Sequence, residues 1–296
     1  MSVTKTIRFL IFVGFFCTSA CWGGTIDDFS KSVVFLADNK PVTEDINGIP
    51  YEVWLKNPTN GMFIIKKNRI TGTGLIVVSS NVCYLVTVKH VAVNMSSECE
   101  VIMGGENEEP WHFQLSSITG QPSITWFHHP VADISVYPLP SITTEGIKAL
   151  NQRAIPLGAL ASETNLPSRD VYVTALGFPL GLGAEGQFIP LSRESKVASG
   201  MLHDDNGLFF LLQDPSVSGY SGGPLIQSGD SRVVITSTGP AVATGGGRCW
   251  GFVSATYGDE TGGKMSRIIP AFYAVNLIHE AQMTLHIVQA PMPQTK

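Results

Sequence analysis

No stretch of the 296-residue chain concentrates Lys or Arg, and charged residues of both signs make up only 15% of it. The formal net charge is −5. A nucleic-acid partner is thereby excluded, because such a protein needs clustered cations to neutralise phosphates. The five cysteines (Cys17, Cys21, Cys83, Cys99 and Cys249) form no C-x-x-C pair, which removes zinc-ribbon and thioredoxin-type chemistry. Beyond the N-terminal region no segment is apolar for the roughly 20 residues that a membrane-spanning helix needs. Internal repeats and low-complexity tracts are missing as well. A low charge fraction with 30 Gly and 18 Pro suits a compact β protein better than a helical bundle or a disordered chain.

The N-terminus has the layout of an export signal. Lys5 and Arg8 precede a short apolar core at residues 9–16 (FLIFVGFF), and small residues follow at Thr18, Ser19 and Ala20. A secretory signal peptide over residues 1–23 is expected, cleaved after Ala20 or near Gly23, and its apolar core is too short to act as a spanning anchor. The mature chain is then periplasmic or secreted. Cys21, directly after T-S-A, opens a second expectation, a lipid anchor, although Thr18 stands where lipoprotein signals carry Leu. An exported protein meets oxidising conditions. Cys83 and Cys99, on either side of His90, therefore read either as a disulfide or as two buried thiols, and Cys249 is left without a partner.

Past the signal, residues 31–37 (KSVVFLA) and 51–55 (YEVWL) read as short strands. Strand-like runs at 62–66, 75–79 and 82–88 are separated by a Gly-rich turn at 71–74 (TGTG) and a Ser-Ser-Asn turn. Runs at 100–104, 111–116 and 133–137 continue the pattern. It weakens between Pro138 and Asp170, where one helical turn is expected near 145–152. Strands resume at 171–177, 193–201, 207–213, 224–226, 232–237 and 249–257. Residues 269–282 (IPAFYAVNLIHEAQ) carry apolar residues at helical spacing, with Pro270 at an early position that tolerates it. Closely spaced strands rich in Val, Ile and Tyr indicate an antiparallel barrel or sandwich.

Three segments bear chemistry. A serine hydroxyl is a weak nucleophile and needs a base, a group that orients the base, and donors for the oxyanion that forms. Gly219-Tyr220-Ser221-Gly222-Gly223-Pro224 supplies a tight glycine turn that exposes a hydroxyl and aims the Gly219 and Ser221 N–H groups into one hollow. His90 ends an apolar strand in T-V-K-H-V, and Asp133 opens another in A-D-I-S-V. Each alone has a plain structural explanation; together, in the order His, Asp, Ser, they form a constellation.

That order, with G-T-G-L-I-V ahead of the histidine strand and G-x-S-G-G-P-L around the serine, resembles the trypsin/chymotrypsin-like serine protease family, nearest its bacterial Deg-type branch. The resemblance runs from about Gly72 to Ile278. It implies an all-β fold of two six-stranded antiparallel β-barrels with a C-terminal helix and an active site between the barrels. The peptidase domain would cover 24–290: first barrel about 30–140, linker about 141–168, second barrel about 169–268, helix about 269–284. It implies Ser221 as nucleophile, His90 as general base, Asp133 as its orienting acid, and Gly219 and Ser221 N–H groups as the oxyanion hole. Gly251, Phe252, Val253 and Ser254 resemble the strand that pairs with substrate backbone, with Ser254 also placed beside Asp133.

The pattern departs from the family in places. Tyr220 stands where digestive members have an Asp that pairs with a newly cut N-terminus, so activation of that kind is not expected. Pro215 aligns best with the position that carries an acid in trypsin, and with Ser216 it points to small or aliphatic side chains before the cut; Asp214 is one residue off, and a different loop length would shift the match to it. Residues 227–248 make a long excursion, and Gly245-Gly246-Gly247 suggests a mobile loop. Adjacent His128 and His129 point to opposite faces of a strand and do not chelate one metal; no metal or cofactor is expected. The expected activity is a serine endopeptidase acting on protein or peptide substrates. Two rivals are a restrained binding module on a protease scaffold and an esterase using the same triad.

Overall fold

The computed structural model describes residues 24–289 apart from 48, 60, 106–108, 120–124, 141–149, 165–166, 228–230, 237–238 and 245–246. The signal segment, most of the helical turn expected near 145–152 and the C-terminal tail lie outside the described residues.

Helix α1 (Ile26–Ser32) feeds strand β1 (Val33–Pro41). Two short hairpins follow, β2 (Thr43–Ile46) with β3 (Ile49–Glu52) and β4 (Trp54–Lys56) with β5 (Phe63–Ile65). Next come β6 (Lys67–Ser79), β7 (Val82–Thr87), the short helix α2 (Lys89–Ala92), β8 (Glu100–Gly104) and β9 (Pro110–Gln114). Helix α3 (Leu115–Thr119), β10 (Phe127–His128), β11 (Ser135–Leu139) and β12 (Ile155–Pro156) complete the first half. The second half holds β13 (Tyr172–Gly177), β14 (Leu191–Lys196), β15 (Leu202–Asp204), β16 (Gly207–Leu212) and β17 (Pro224–Gln227). A hairpin of β18 (Ser231–Thr236) and β19 (Gly239–Thr244), then β20 (Arg248–Gly258), β21 (Lys264–Pro270) and helix α4 (Phe272–Gln289), end the chain.

The strands assemble into two large sheets. The first runs β10-β11-β7-β6-β1-β8-β9, with β12 parallel to β6. The second runs β14-β13-β17-β20-β21-β16-β15. In the second sheet Val197 bridges Leu212, and the flanking bonds Ala198 N–H to Leu211 O (2.8 Å) and Gln213 N–H to Lys196 O (3.0 Å) close β14 onto β16. Six strands thus form the ring, and β15 lies outside it as the hairpin partner of β16. The first sheet carries more than the six strands expected: seven in line and β12 beside them. The architecture is all-β with a C-terminal helix.

Burial explains the pairing. Val33, Val34, Phe35 and Leu36 of β1 and Leu75, Ile76 and Val77 of β6 are buried with Tyr84, Leu85 and Val86 of β7. Full burial of each such side chain stabilises by about 1.5–3 kcal/mol. Val173, Phe210, Leu225, Val253 and Ile268 fill the second ring. Helix α4 buries Ala274, Leu277, Ile278 and Ala281 against the large core, packs on β10 and β11 of the first sheet and on β21 of the second, and donates from Gln282 Nε2 to Ser79 Oγ (2.8 Å).

Two expectations change. The TGTG segment is not a turn but the middle of the 13-residue strand β6, where Gly72 pairs with Leu36 and Gly74 with Val34. These glycines permit close approach: a Cβ on Gly72 would lie 2.5 Å from Val91, and one on Gly74 2.6 Å from a Leu85 methyl. The first strand starts at Val33 rather than 31, because Thr25 and Asp28 form a reciprocal N-terminal cap on α1 (Asp28 N–H to Thr25 Oγ1, 3.2 Å; Thr25 N–H to Asp28 Oδ2, 2.9 Å). Within the long excursion at 227–248, the strand expected at 232–237 is β18, and it pairs with β19 in a two-stranded ladder. Cys83, Cys99 and Cys249 are free thiols, all buried.

Candidate active site

His90 lies in the first turn of α2, directly after the buried strand β7. Asp133 lies in the bend before β11, and β7 and β11 are neighbours, with Thr87 opposite Ser135. That pairing brings the carboxylate under the histidine. Asp133 Oδ1 accepts the His90 backbone N–H (2.9 Å), and Oδ2 accepts the ring Nδ1–H (2.8 Å). Ser254 Oγ, from β20 of the second sheet, donates to the same Oδ2 at 2.6 Å. Burial opposes ionisation of Asp133, but the hydrogen bonds and charge of His90 and the Ser254 hydroxyl outweigh it and hold its pKa below the usual carboxylate range. With Nδ1–H committed to the carboxylate, the neutral ring carries its lone pair on Nε2. Asn94 Nδ2 donates to the His90 carbonyl (2.8 Å) and fixes the turn. Lys89 turns to His129, donating from Nζ to its carbonyl at 3.3 Å.

Ser221 sits in the turn before β17. Gly219 has φ +99° and Gly222 φ +85°, conformations that side-chain-bearing residues rarely adopt. A Cβ on Gly219 would lie 2.3 Å from the Phe178 carbonyl oxygen, and one on Gly222 2.1 Å from the Thr73 carbonyl oxygen. The turn's carbonyls are taken: Ser218 O by Leu180 N–H (2.8 Å), Gly219 O by Thr73 Oγ1 (2.6 Å), Tyr220 O by Gly223 N–H (2.8 Å) and Ser221 O by Thr73 N–H (2.8 Å). In a trans peptide the N–H points opposite the carbonyl. The Gly219 and Ser221 N–H groups therefore face away from these partners, and neither bonds to another described residue. The Ser221 hydroxyl donates to the Ser254 carbonyl at 3.4 Å, and no hydrogen bond joins it to His90 among the described residues.

Of the expected substrate-contacting residues, Pro215 and Ser216 line a cavity of about 20 Å³ with Asp214, Ser195, Arg193, Tyr220, Val253 and Ser266. Asp214 accepts from Ser195 Oγ (2.6 Å), and its carbonyl accepts from Ser266 Oγ (2.6 Å). The Gly251–Val253 part of the substrate-strand expectation needs correction. Gly251 and Phe252 pair with β17 on one side and β21 on the other, Val253 bonds to Gly222, Gly223 and β21, and all three are buried. No edge is left there for a peptide. After the register shift between Val253 and Ala255, residues 255–257 pair only with β21 and are exposed, and this is the open edge beside Ser254. His128 and His129 have separate partners, Ser135 Oγ for the first (2.7 Å) and the Ala132 N–H for the second (2.8 Å). No cluster of three metal-ligating side chains occurs among the described residues.

Thr73 was not singled out from the sequence, yet it holds two carbonyls of the serine turn. A hydroxyl residue between two glycines was the available signal, once those glycines are read as close-approach positions.

No family model and no curated protein matches the sequence. Solved structures do. One is an HtrA-type protease, AlgW, with a decapeptide, at 16% identity and TM-score 0.48; the likeness covers 86% of this chain and 65% of that one, under two thirds of its length. Another is Rv3671c from M. tuberculosis H37Rv, an inactive form of a serine-to-alanine mutant, at 13% identity and TM-score 0.46, covering 91% of this chain and 93% of that one. Both likenesses lie in the fold.

Proposed function

We propose that this chain is a serine endopeptidase of the trypsin/chymotrypsin-like kind, with Ser221 as nucleophile, His90 as general base and Asp133 as the acid that orients it. The observation that carries the reading is the clasp on Asp133: one carboxylate takes His90 N–H, His90 Nδ1–H and Ser254 Oγ within 2.6–2.9 Å, beside a serine turn whose two N–H groups are left open. A half-buried acid so held keeps the histidine in one tautomer and stabilises its cation when it takes a proton. Ser221 Oγ adds to the scissile carbonyl, and His90 Nε2 takes its proton and returns it to the leaving amine. The oxyanion is received by the Gly219 and Ser221 N–H groups.

The peptide backbone would lie along residues 255–257, with the side chain before the cut entering the cavity at Pro215 and Ser216. At about 20 Å³ that cavity has room for about one water-sized group, so small side chains are the expected choice. Export by the signal at 1–23 gives a periplasmic or secreted enzyme; the lipid anchor at Cys21 is the alternative. Among the described residues no helix is long and apolar enough to cross a membrane.

One observation favours the restrained-module reading: the Ser221 hydroxyl bonds to Ser254 O instead of His90. Attack requires that hydroxyl to turn about χ1 towards His90, and such bonds often tighten only with substrate bound. A peptidyl phosphonate decides between the readings. Wild type should be labelled and Ser221→Ala should not; a wild-type protein that takes no label and cuts no unfolded protein would be a restrained module. Ester turnover without peptide cleavage would mark an esterase.

A further inference from the structure

Thr73 is fully buried on β6 of the first sheet, yet three of its hydrogen bonds reach the second half of the chain. Its N–H donates to Ser221 O (2.8 Å), and its hydroxyl donates to Gly219 O (2.6 Å). The same hydroxyl accepts the Phe178 N–H (3.2 Å). Its own carbonyl accepts Thr87 Oγ1 (2.7 Å), so the residue is braced from behind by a second buried threonine.

These bonds act on the two open N–H groups through the peptides next to them. Holding Gly219 O sets the peptide between the two that carry the open N–H groups; its own N–H, of Tyr220, donates to Val217 O (3.1 Å), and the peptide carrying Ser221 N–H is held in turn by Gly223 N–H on Tyr220 O (2.8 Å). Holding Phe178 N–H orders the segment whose next amide but one, Leu180 N–H, binds Ser218 O and so sets the peptide before Gly219. That segment includes Leu180 at φ +54°, an unfavourable conformation for a non-glycine residue that needs holding. Tyr220, 5% exposed, brings no charge to the turn, and among the described residues its hydroxyl bonds to Leu191 O at 3.5 Å. An ion pair at that position is therefore not what shapes the hollow.

We propose that Thr73 is the positioning residue of the oxyanion hole: its hydroxyl, delivered from the opposite sheet, keeps the Gly219 and Ser221 N–H groups turned inward before substrate arrives. This rests on the serine peptidase reading. It also means that the hollow is formed in the uncut chain, with no new N-terminus required.

The test compares wild type, Thr73→Val and Thr73→Ser in three measurements: phosphonate labelling rate, affinity for a peptide boronate, and affinity for the same peptide as an amide. Removing an oxyanion-hole donor outright costs about 10²–10³ in rate, and a mispositioned pair should cost at least about tenfold. Thr73→Val should lose that factor in labelling and boronate affinity while amide binding changes less than about twofold, and Thr73→Ser should restore both. A folded Thr73→Val labelled at the wild-type rate overturns the proposal, as does an equal loss in all three measurements. If Thr73→Val does not fold, a crystal structure of the wild-type boronate adduct decides. Thr73 Oγ1 must remain on Gly219 O with both N–H groups on a boronate oxygen, and an adduct with that bond broken overturns it. A wild type that takes neither reagent sinks the peptidase reading and this proposal with it; a labelled wild type confines any failure to Thr73.

Discussion

The two glycine-rich segments of this chain, Gly72-Thr73-Gly74 and Gly219-Tyr220-Ser221-Gly222-Gly223, look alike in sequence and do opposite things. In the first the backbone stays extended, and the missing side chains make room for neighbours, Val91 and Leu85. In the second, Gly219 and Gly222 hold positive φ that other residues resist. The two segments then meet, because Thr73 bonds to the serine turn on both sides of Tyr220. Composition marks glycine; only its surroundings say whether it supplies space or curvature.

Substitutions should separate the two uses. Gly219→Ala should have the largest effect. It demands a strained φ and places a Cβ 2.3 Å from backbone oxygen, so the turn must move and peptidase turnover should fall by at least about 100-fold. Phosphonate labelling of folded protein checks this. Gly74→Ala meets a Leu85 methyl, which can shift. A loss of about 1–3 kcal/mol in denaturant stability is expected, with labelling rate per folded molecule retained. Equal loss of rate in both variants would erase the distinction.

Ser254→Ala tests the other end of the site. Asp133 has a lowered pKa, so it contributes stability above the unfolded carboxylate range near 3.9 and loses it as pH falls through its folded value. Removing the Ser254 donor should weaken that depression. The difference in stability, about 1.5 kcal/mol at neutral pH, should shrink below about pH 4. A constant difference across pH would mean that Ser254 acts through packing alone. The smallest effect concerns the thiols. Burial pushes Cys83, Cys99 and Cys249 up to about 12, so the native protein should react with a thiol reagent at pH 8 far more slowly than the unfolded chain.

The all-β fold with its C-terminal helix was legible in the strand pattern, and its detail less so. His90, Asp133 and Ser221 could be singled out because chemistry restricts residue type and local turn, and the structure joins His90 to Asp133. Gly251, Phe252 and Val253 were misplaced as substrate contacts because the register shift in β20 falls after Val253, and nothing in the local sequence marks a bulge. Helix α1 was missed although Thr25 and Asp28 have capping-box spacing, since the apolar run in KSVVFLA dominated the pattern. The hairpins between β1 and β6 expose Trp54, Met62 and Phe63, so burial did not impose an alternation that could be read.

The closing helix α4 sets an order in time. It covers β10 and β11 and reaches Ser79, all in the first half, although it is made last. A chain made from its N-terminus can pair its first strands early but cannot seal that core until residue 282 has followed. Until then Ala274, Leu277, Ile278 and Ala281 are missing from the large core, and its strands are paired but uncovered.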